Sequence, residues 1–290
     1  MTNTVLIKTS DGGTFPRIRD IVTYPVLCET EHSKLYLTKY ITIDGDEKEC
    51  VAKVSKRQSV EDEFNITVGM KHPNILTPLA IYQKSVLFLP YCPGGSLMDL
   101  ANNPLRPSER SCRTIFQQML SAVEYIHECG IIHNDIKLEN FLVEGTAIRL
   151  ADFGLSDKHN NGELVQNYVG TPYYMAPEVL AKAGHTWSAD IWSLGVSLYR
   201  LYYGCMPHQA VTLQELRSSV FHCDIGAMRV GSDELEDLIK SILRIAPRDR
   251  LTIKQIAEHA WLSGIIVMSA RGHGEDIHGR GYHYRRSKSN

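Results

Sequence analysis

Between residues 18 and 91, apolar positions fall in short runs separated by polar turns. The runs "LYLTKYITI" (35–43) and "CVAKV" (50–54) are parted by "DGDEKE", and "SVLFLPY" (85–91) follows, a pattern that predicts strands joined by hairpins. Between them, "VEDEFNITVGM" (60–70) predicts one helix that runs up to the proline of "HPNI" (72–75). Past "PGGS" (93–96) the spacing changes. "RTIFQQMLSAVEYIHECG" (113–130) repeats Ile115, Met119, Val123 and Ile126 at helical spacing and closes on Gly130. "SADIWSLGVSLYRLYYG" (188–204) is apolar almost all round and predicts a buried helix, and "DELEDLIKSILRI" (233–245) predicts another. "FLVEG" (141–145) and "IRLADFG" (148–154) are compatible with a hairpin. The expectation is an α+β fold of two lobes, a small β-rich N-lobe with one helix (18–91) and a larger, mainly helical C-lobe (92–262). Residues 1–17 form an N-terminal extension in this reading. The Gly-, Arg- and His-rich tail, 263–290, shows no apolar period and predicts a disordered basic segment.

Composition narrows the class without naming it. At 290 residues the chain can bury roughly three quarters of its unfolded surface, and 43% apolar with 22% charged residues is ordinary for a globular protein. A net charge of -2 gives no reason to expect nucleic acid or an acidic membrane as partner. The N-terminal apolar run is too short for a signal peptide and nothing approaches a membrane span, so the chain reads as soluble and intracellular. The seven cysteines have no C-x-x-C spacing and read as reduced small hydrophobes.

The stretch "IIHNDIKLEN" (131–140) concentrates polar chemistry next to an apolar pair. Asp135, Lys137 and Asn140 offer an acceptor carboxylate, a point positive charge and an amide oxygen, and Asp152 adds a carboxylate across the hairpin. Asn140 with Asp152 is the sparse, hard-oxygen set that holds Mg²⁺ when substrate phosphates complete the octahedron. Asp135 is then left to face a hydroxyl, and with an ordinary carboxyl pKa of about 3.9 its use would be to orient a nucleophile and accept a proton late in phosphoryl transfer.

From here the sequence resembles the eukaryotic protein kinases over about residues 18 to 262. "HNDIKLEN" resembles the catalytic loop H-R-D-L-K-x-x-N, "DFG" stands at Asp152, Phe153 and Gly154, and "APE" at Ala176, Pro177 and Glu178. "CVAK" resembles the strand whose lysine, here Lys53, grips the α- and β-phosphates, and Glu63 matches the helix glutamate that pairs with it. Asp190 in "ADIWSLGV" matches the residue that brace the catalytic loop, and Arg250 in "APRDRLT" the arginine that pairs with Glu178. The resemblance implies ATP and Mg²⁺ as cofactors. It implies a nucleotide site made by Leu27, Cys28, Thr30, Ser33, Leu35, Val51, Lys53, Glu63, Pro90, Cys92 and Leu142, with His133 and Phe153 packed as a spine. Taken singly, any of these residues would read as an ordinary surface charge or core side chain; their order decides.

Lys137 and Thr171 in "GTPYY" resemble the Ser/Thr-specific branch, nearest in look to calcium/calmodulin-dependent and SNF1-like kinases. Leu155 after DFG leans toward serine acceptors. Ser96 replaces an acidic residue that many basophilic kinases use for a substrate arginine, leaving Glu139 for that role. Small-molecule kinases share the loop but not "GTPYYMAPE".

Two departures stand out. "LCETEHSKL" (27–35) puts Cys28, Thr30 and Ser33 where the family has three glycines, and Glu29 and Glu31 add negative charge near a polyanion, a further penalty if they point inward. Each lost charge-assisted backbone bond would weaken ATP binding on the order of 10- to 150-fold. Thr67 and Pro78 replace large apolar residues behind Glu63, which predicts a loosely held helix. Asn134 stands where regulated kinases have an arginine that meets a phosphorylated loop residue, and the matching loop position is Asn167. An uncharged contact is expected to replace that switch, with Tyr168 and Thr171 as the remaining acceptors.

The sequence thus implies a cytoplasmic Ser/Thr protein kinase, with the nucleus as alternative location, that acts as a monomer on a protein substrate and leaves room for a regulatory partner. A pseudokinase serving as a nucleotide-binding or scaffolding module is the alternative.

Overall fold

The computed structural model describes residues 25–263, except 43–44, 57–58, 160–162, 223–224, 226–227 and 229. The expected extension (1–17) and the tail beyond 263 lie outside the described residues.

Five strands form one antiparallel sheet in the order β1-β2-β3-β5-β4. They are β1 (Val26–Glu29), β2 (Ser33–Ile41), β3 (Glu47–Ser55), β4 (Ala80–Tyr82) and β5 (Val86–Pro90). Strand alternation sorts the side chains of β3: Cys50 and Ala52 are buried against Tyr36, Tyr40 and Phe88, so Lys53 points the other way, toward the cleft. The predicted helix exists as α1 (Glu61–Thr67) and ends five residues before His72. β-branched Thr67 and Val68 followed by Gly69 are weak helix formers, and they end it before the proline can. Its two buried residues are polar, Glu63 and Thr67, and the Thr67 hydroxyl donates back to the Glu63 carbonyl at 2.7 Å.

The second lobe starts with α2 (Leu97–Ala101) and α3 (Glu109–Glu128). Ser108 caps α3 through the Ser111 N–H, and Gly130 beyond its end takes φ +73°, a conformation only glycine adopts cheaply. Of the predicted stripe, Met119, Val123 and Ile126 are fully buried, whereas Ile115 is half-buried and Cys112, Phe116 and Leu120 complete the inner face. Short β6 (Ile131–Ile132) and the hairpin β7 (Phe141–Glu144) with β8 (Ala147–Leu150) follow, then β9 (Asp157–Lys158), which pairs with β6. Next come α4 (Pro177–Leu180), α5 (Ser188–Tyr203), α6 (Leu213–Phe221), α7 (Asp233–Ile242), α8 (Ile253–Ala257) and α9 (Ala260–Ser263). From Ala189 to Tyr199 every residue of α5 is buried, as its all-round apolar pattern predicts. The predicted bilobal α+β architecture is the one observed.

Candidate active site

Two polar clusters carry the charged residues of the site, one bridging the lobes and the other within the catalytic loop of the second lobe. In the first, the Lys53 ammonium donates to both oxygens of Glu63 (2.7 and 2.9 Å) and to Asp152 Oδ1 (2.6 Å). Burial alone would strip the charge from Lys53, but the Asp152 and Glu63 carboxylates outweigh it and raise its pKa. Burial raises the Glu63 carboxyl, against the pull of Lys53, while Asp152 is held below the ordinary carboxylate value because Lys53 overcomes its desolvation.

The second cluster centres on Asp135, which is 7% exposed. Its Oδ1 accepts from the Thr171 N–H (3.0 Å) and hydroxyl (2.8 Å), and its Oδ2 from Lys137 (2.6 Å). Lys137 also donates to the Thr171 hydroxyl at 2.9 Å. Asn140 Nδ2 donates to the Asp135 carbonyl at 2.8 Å, which turns its amide oxygen away from that contact. The approach of the Thr171 segment depends on Gly170, whose φ is +109° and where a Cβ would lie 2.4 Å from the Asn134 carbonyl oxygen. A Cβ on Gly154 of the D-F-G stretch would lie 3.5 Å from Asp152 Oδ1 and from Glu63 Oε2 and 3.9 Å from Lys53 Nζ.

Backbone strain marks both the catalytic loop and the D-F-G stretch. Asn134 and Asp152 both take left-handed conformations, φ +66° and +63°, and Asn and Asp are the residues other than glycine that tolerate them best. The loop is braced from below by Asp190, which is 1% exposed and accepts from the His133 N–H (2.9 Å), the Asn134 N–H (3.0 Å) and the His127 ring (2.9 Å). Burial would raise the Asp190 carboxyl, and the hydrogen bonds it accepts from the His127 ring and the His133 N–H hold it low instead. Arg250 grips Glu178 through two parallel bonds of 2.7 and 2.6 Å and donates to three backbone carbonyls.

His133 is fully buried, with its ring edge-on to Phe153 at 4.8 Å. Its Nε2 meets the Ala151 carbonyl (3.2 Å), so it donates, and Nδ1 accepts the Asp135 N–H (3.3 Å). A second proton would point at that N–H, and burial depresses the pKa. A histidine with a depressed folded pKa contributes stability that is lost as pH falls below its free value of about 6.5. Stability to urea is therefore expected to fall between pH 7 and pH 5 by up to about 2 kcal/mol more in wild type than in His133→Asn; equal pH slopes in the two proteins would refute this.

The expected nucleotide wall is only partly a unit. Cys92 and Leu142 pack with Leu76, Leu89 and Ala151, and Leu35 pairs with Lys53 across the sheet while Val51 lies on the same face two residues earlier. Pro90 ends β5 beside Cys50. Leu27 and Cys28 are exposed on β1. Thr30 and Ser33 cap their own turn: Thr30 Oγ1 accepts from the Ser33 N–H at 3.0 Å and touches the Ser33 hydroxyl at 3.2 Å. The penalty expected of an inward Glu29 is offset by two lysines. The hairpin register puts Lys34 opposite Glu29, and Lys56 reaches it too, so its carboxylate is paired at 3.3 and 2.9 Å. Ser96 is committed to the cap of α2 through Asp99, while Glu139 stays exposed.

Among the described residues no three His, Cys, Asp or Glu side chains gather as a metal cage. The Asn140 amide oxygen and the Asp152 carboxylate fit a Mg²⁺ whose remaining ligands are phosphate and water.

Residues 26–262 match the family model of the protein kinase domain. This chain belongs to the protein kinase family. The kinase domain is similar to CBL-interacting protein kinase 11 of Oryza sativa subsp. japonica (35% identical over 233 residues, 77% of this chain and 46% of that protein). It also resembles the probable serine/threonine-protein kinase fhkE of Dictyostelium discoideum (33% over 251 residues, 80% and 35%). A third relative is human NUAK family SNF1-like kinase 1 (31% over 230 residues, 78% and 35%), in keeping with the expected SNF1-like look. The chain thus spans between a third and a half of the length of these relatives. Among the described residues no helix is long and apolar enough to cross a membrane.

Asp157 and His185, which bind the catalytic loop beside Asp135, went unmarked in the sequence reading. Their contacts span 23 and 51 residues, and neither stands in a recognisable motif.

Proposed function

We propose that this kinase domain is an active Ser/Thr protein kinase that transfers the γ-phosphoryl group of ATP to a serine or threonine hydroxyl of a protein. The observation that carries this reading is the pairing of the two clusters: Lys53 held by Glu63 and Asp152 on one side, Asp135 held by Thr171 and Lys137 on the other. In this reading Lys53 binds the α- and β-phosphates, and Asp135 orients the acceptor hydroxyl and takes its proton late. Lys137 neutralises charge on the transferred group, and Thr171 fixes both of them. Asn140 and Asp152 would hold Mg²⁺, which supplies charge neutralisation at the phosphates. The pseudokinase reading rests on the glycine-free turn alone, and no comparison supports it. The partner is a protein substrate in a soluble compartment, for which we favour the cytoplasm, and the catalytic unit is a monomer.

Calorimetry with ATP tests the binding half. ATP is expected to bind in the presence of Mg²⁺ and to lose at least about 10-fold in affinity in Asp152→Ala, one charged contact's worth. Binding indifferent to both Mg²⁺ and Asp152 would overturn the proposed metal site.

A further inference from the structure

Two segments distant in sequence, 155–157 and the one carrying His185, meet at one side chain of the catalytic loop. Asn134, which immediately precedes Asp135, donates through Nδ2 to the Leu155 carbonyl at 2.9 Å and to Asp157 Oδ2 at 3.0 Å. With both amide hydrogens used, its Oδ1 accepts from His185 Nε2 at 2.8 Å, which assigns the ring proton to that nitrogen. His185 is buried, and its backbone pairs with Val165 in both directions, at 2.9 and 3.0 Å. The same Asp157 Oδ2 also accepts from Asn167 Nδ2 at 2.8 Å. Asp157 itself is anchored on β9, opposite Ile132 of β6, the strand that leads into the catalytic loop.

We propose that Asp157 is a positioning residue for phosphoryl transfer: a built-in anion that ties the catalytic loop, through Asn134, to the segment that delivers Thr171, through Asn167. The proposal rests on the kinase reading and deepens it. One carboxylate oxygen shared by two neutral amides does locally what an added phosphate would need a cation to do, so the segment is set as synthesised. The hydroxyls nearby agree. Thr171 is engaged by Asp135 and Lys137, the Tyr168 hydroxyl is buried, and the Ser156 hydroxyl donates to the His133 carbonyl. None of the three is presented for modification in this arrangement, which revises the expectation that Tyr168 and Thr171 stand as open acceptors. Because the side-chain bonds of Asp157 go to Asn134 and Asn167 and not to Lys53, Asp135, Asn140 or Asp152, its effect should appear in the rate of the chemical step.

The test compares kcat and the KM for ATP in wild type, Asp157→Ala, Asn167→Ala and the double variant, together with phosphatase-treated wild type. Each single variant is expected to lose about 10-fold in kcat with KM for ATP within about 2-fold. The double variant should lose little more than either single, because both remove one shared contact. Phosphatase treatment should change kcat by less than about 2-fold. Additive losses, a wild-type kcat in Asp157→Ala, or a large loss on phosphatase treatment would each overturn the proposal. Hydrogen exchange at the Thr171 amide is read in parallel on the same proteins and does not require turnover. Exchange should quicken in both single variants, and an unchanged rate sinks the tie. If wild type itself transfers no phosphate, the kinase reading fails while the exchange measurement still decides whether Asp157 holds the segment.

Discussion

Asp135→Asn is expected to lower kcat by roughly 10²- to 10⁴-fold, the usual contribution of a positioned proton acceptor. The asparagine is isosteric and keeps an oxygen for the Thr171 N–H and hydroxyl, which meet Asp135 at 3.0 and 2.8 Å, so the loop should keep its shape. What it loses is the negative charge that draws the acceptor proton and pairs with Lys137 at 2.6 Å. The KM for ATP should therefore move by no more than about 3-fold, and Tm by no more than about a few degrees. A large rise in KM with kcat preserved would assign Asp135 to nucleotide binding instead.

Lys53→Met carries the second large effect, and it falls on stability as well as on catalysis. Lys53 is 13% exposed and Glu63 7%, with Asp152 on the outer side at 49%, so removing the ammonium leaves one carboxylate buried beside another. Breaking a buried pair in this way costs about 3–5 kcal/mol, toward the lower end here because Asp152 is partly solvated. kcat/KM for ATP should fall on the order of 10²- to 10³-fold as phosphate contacts and the Glu63 position are lost together. The pH dependence gives the sign. Burial already raises the Glu63 carboxyl, and without Lys53 it rises further, so the variant's folded state takes up a proton more readily than its unfolded state. Stability that depends on such a raised group is recovered as pH falls. The deficit of Lys53→Met in urea unfolding should be largest near pH 8 and narrower near pH 5. A deficit that is constant with pH would mean Glu63 is not the group left exposed to the loss.

Much of this site could be read in the sequence because its chemistry is local. Asp135, Lys137 and Asn140 lie within six residues, and the hairpin β7–β8 fixes where Asp152 returns, so spacing alone brings them together. The buried helix α5 was equally plain, since an element that is apolar all round has only the interior to go to. The edge strand β1 was not legible: all four of its residues are exposed, so it has no alternation to detect. The early end of α1 reflects weak local propensity at Thr67, Val68 and Gly69, against which the later proline was the louder signal. The charge on Glu29 was visible, but its neutralisation by Lys56 depends on a lysine 27 positions away. Asp157 is the clearest case. The sequence marks Asn134 and Asn167 as two lost halves of a charged pair, and only the fold reveals the carboxylate between them.

The central claim is that these two clusters together move a phosphoryl group. Incubating the purified protein with γ-labelled ATP, millimolar Mg²⁺ and a mixed protein substrate, followed by phosphoamino-acid analysis, tests it most directly. Label on phosphoserine and phosphothreonine, absent without Mg²⁺ and reduced at least about 10²-fold in Asp135→Asn, is the expected result. Transfer no greater than that of the Asp135→Asn protein, or label confined to phosphotyrosine, would contradict it.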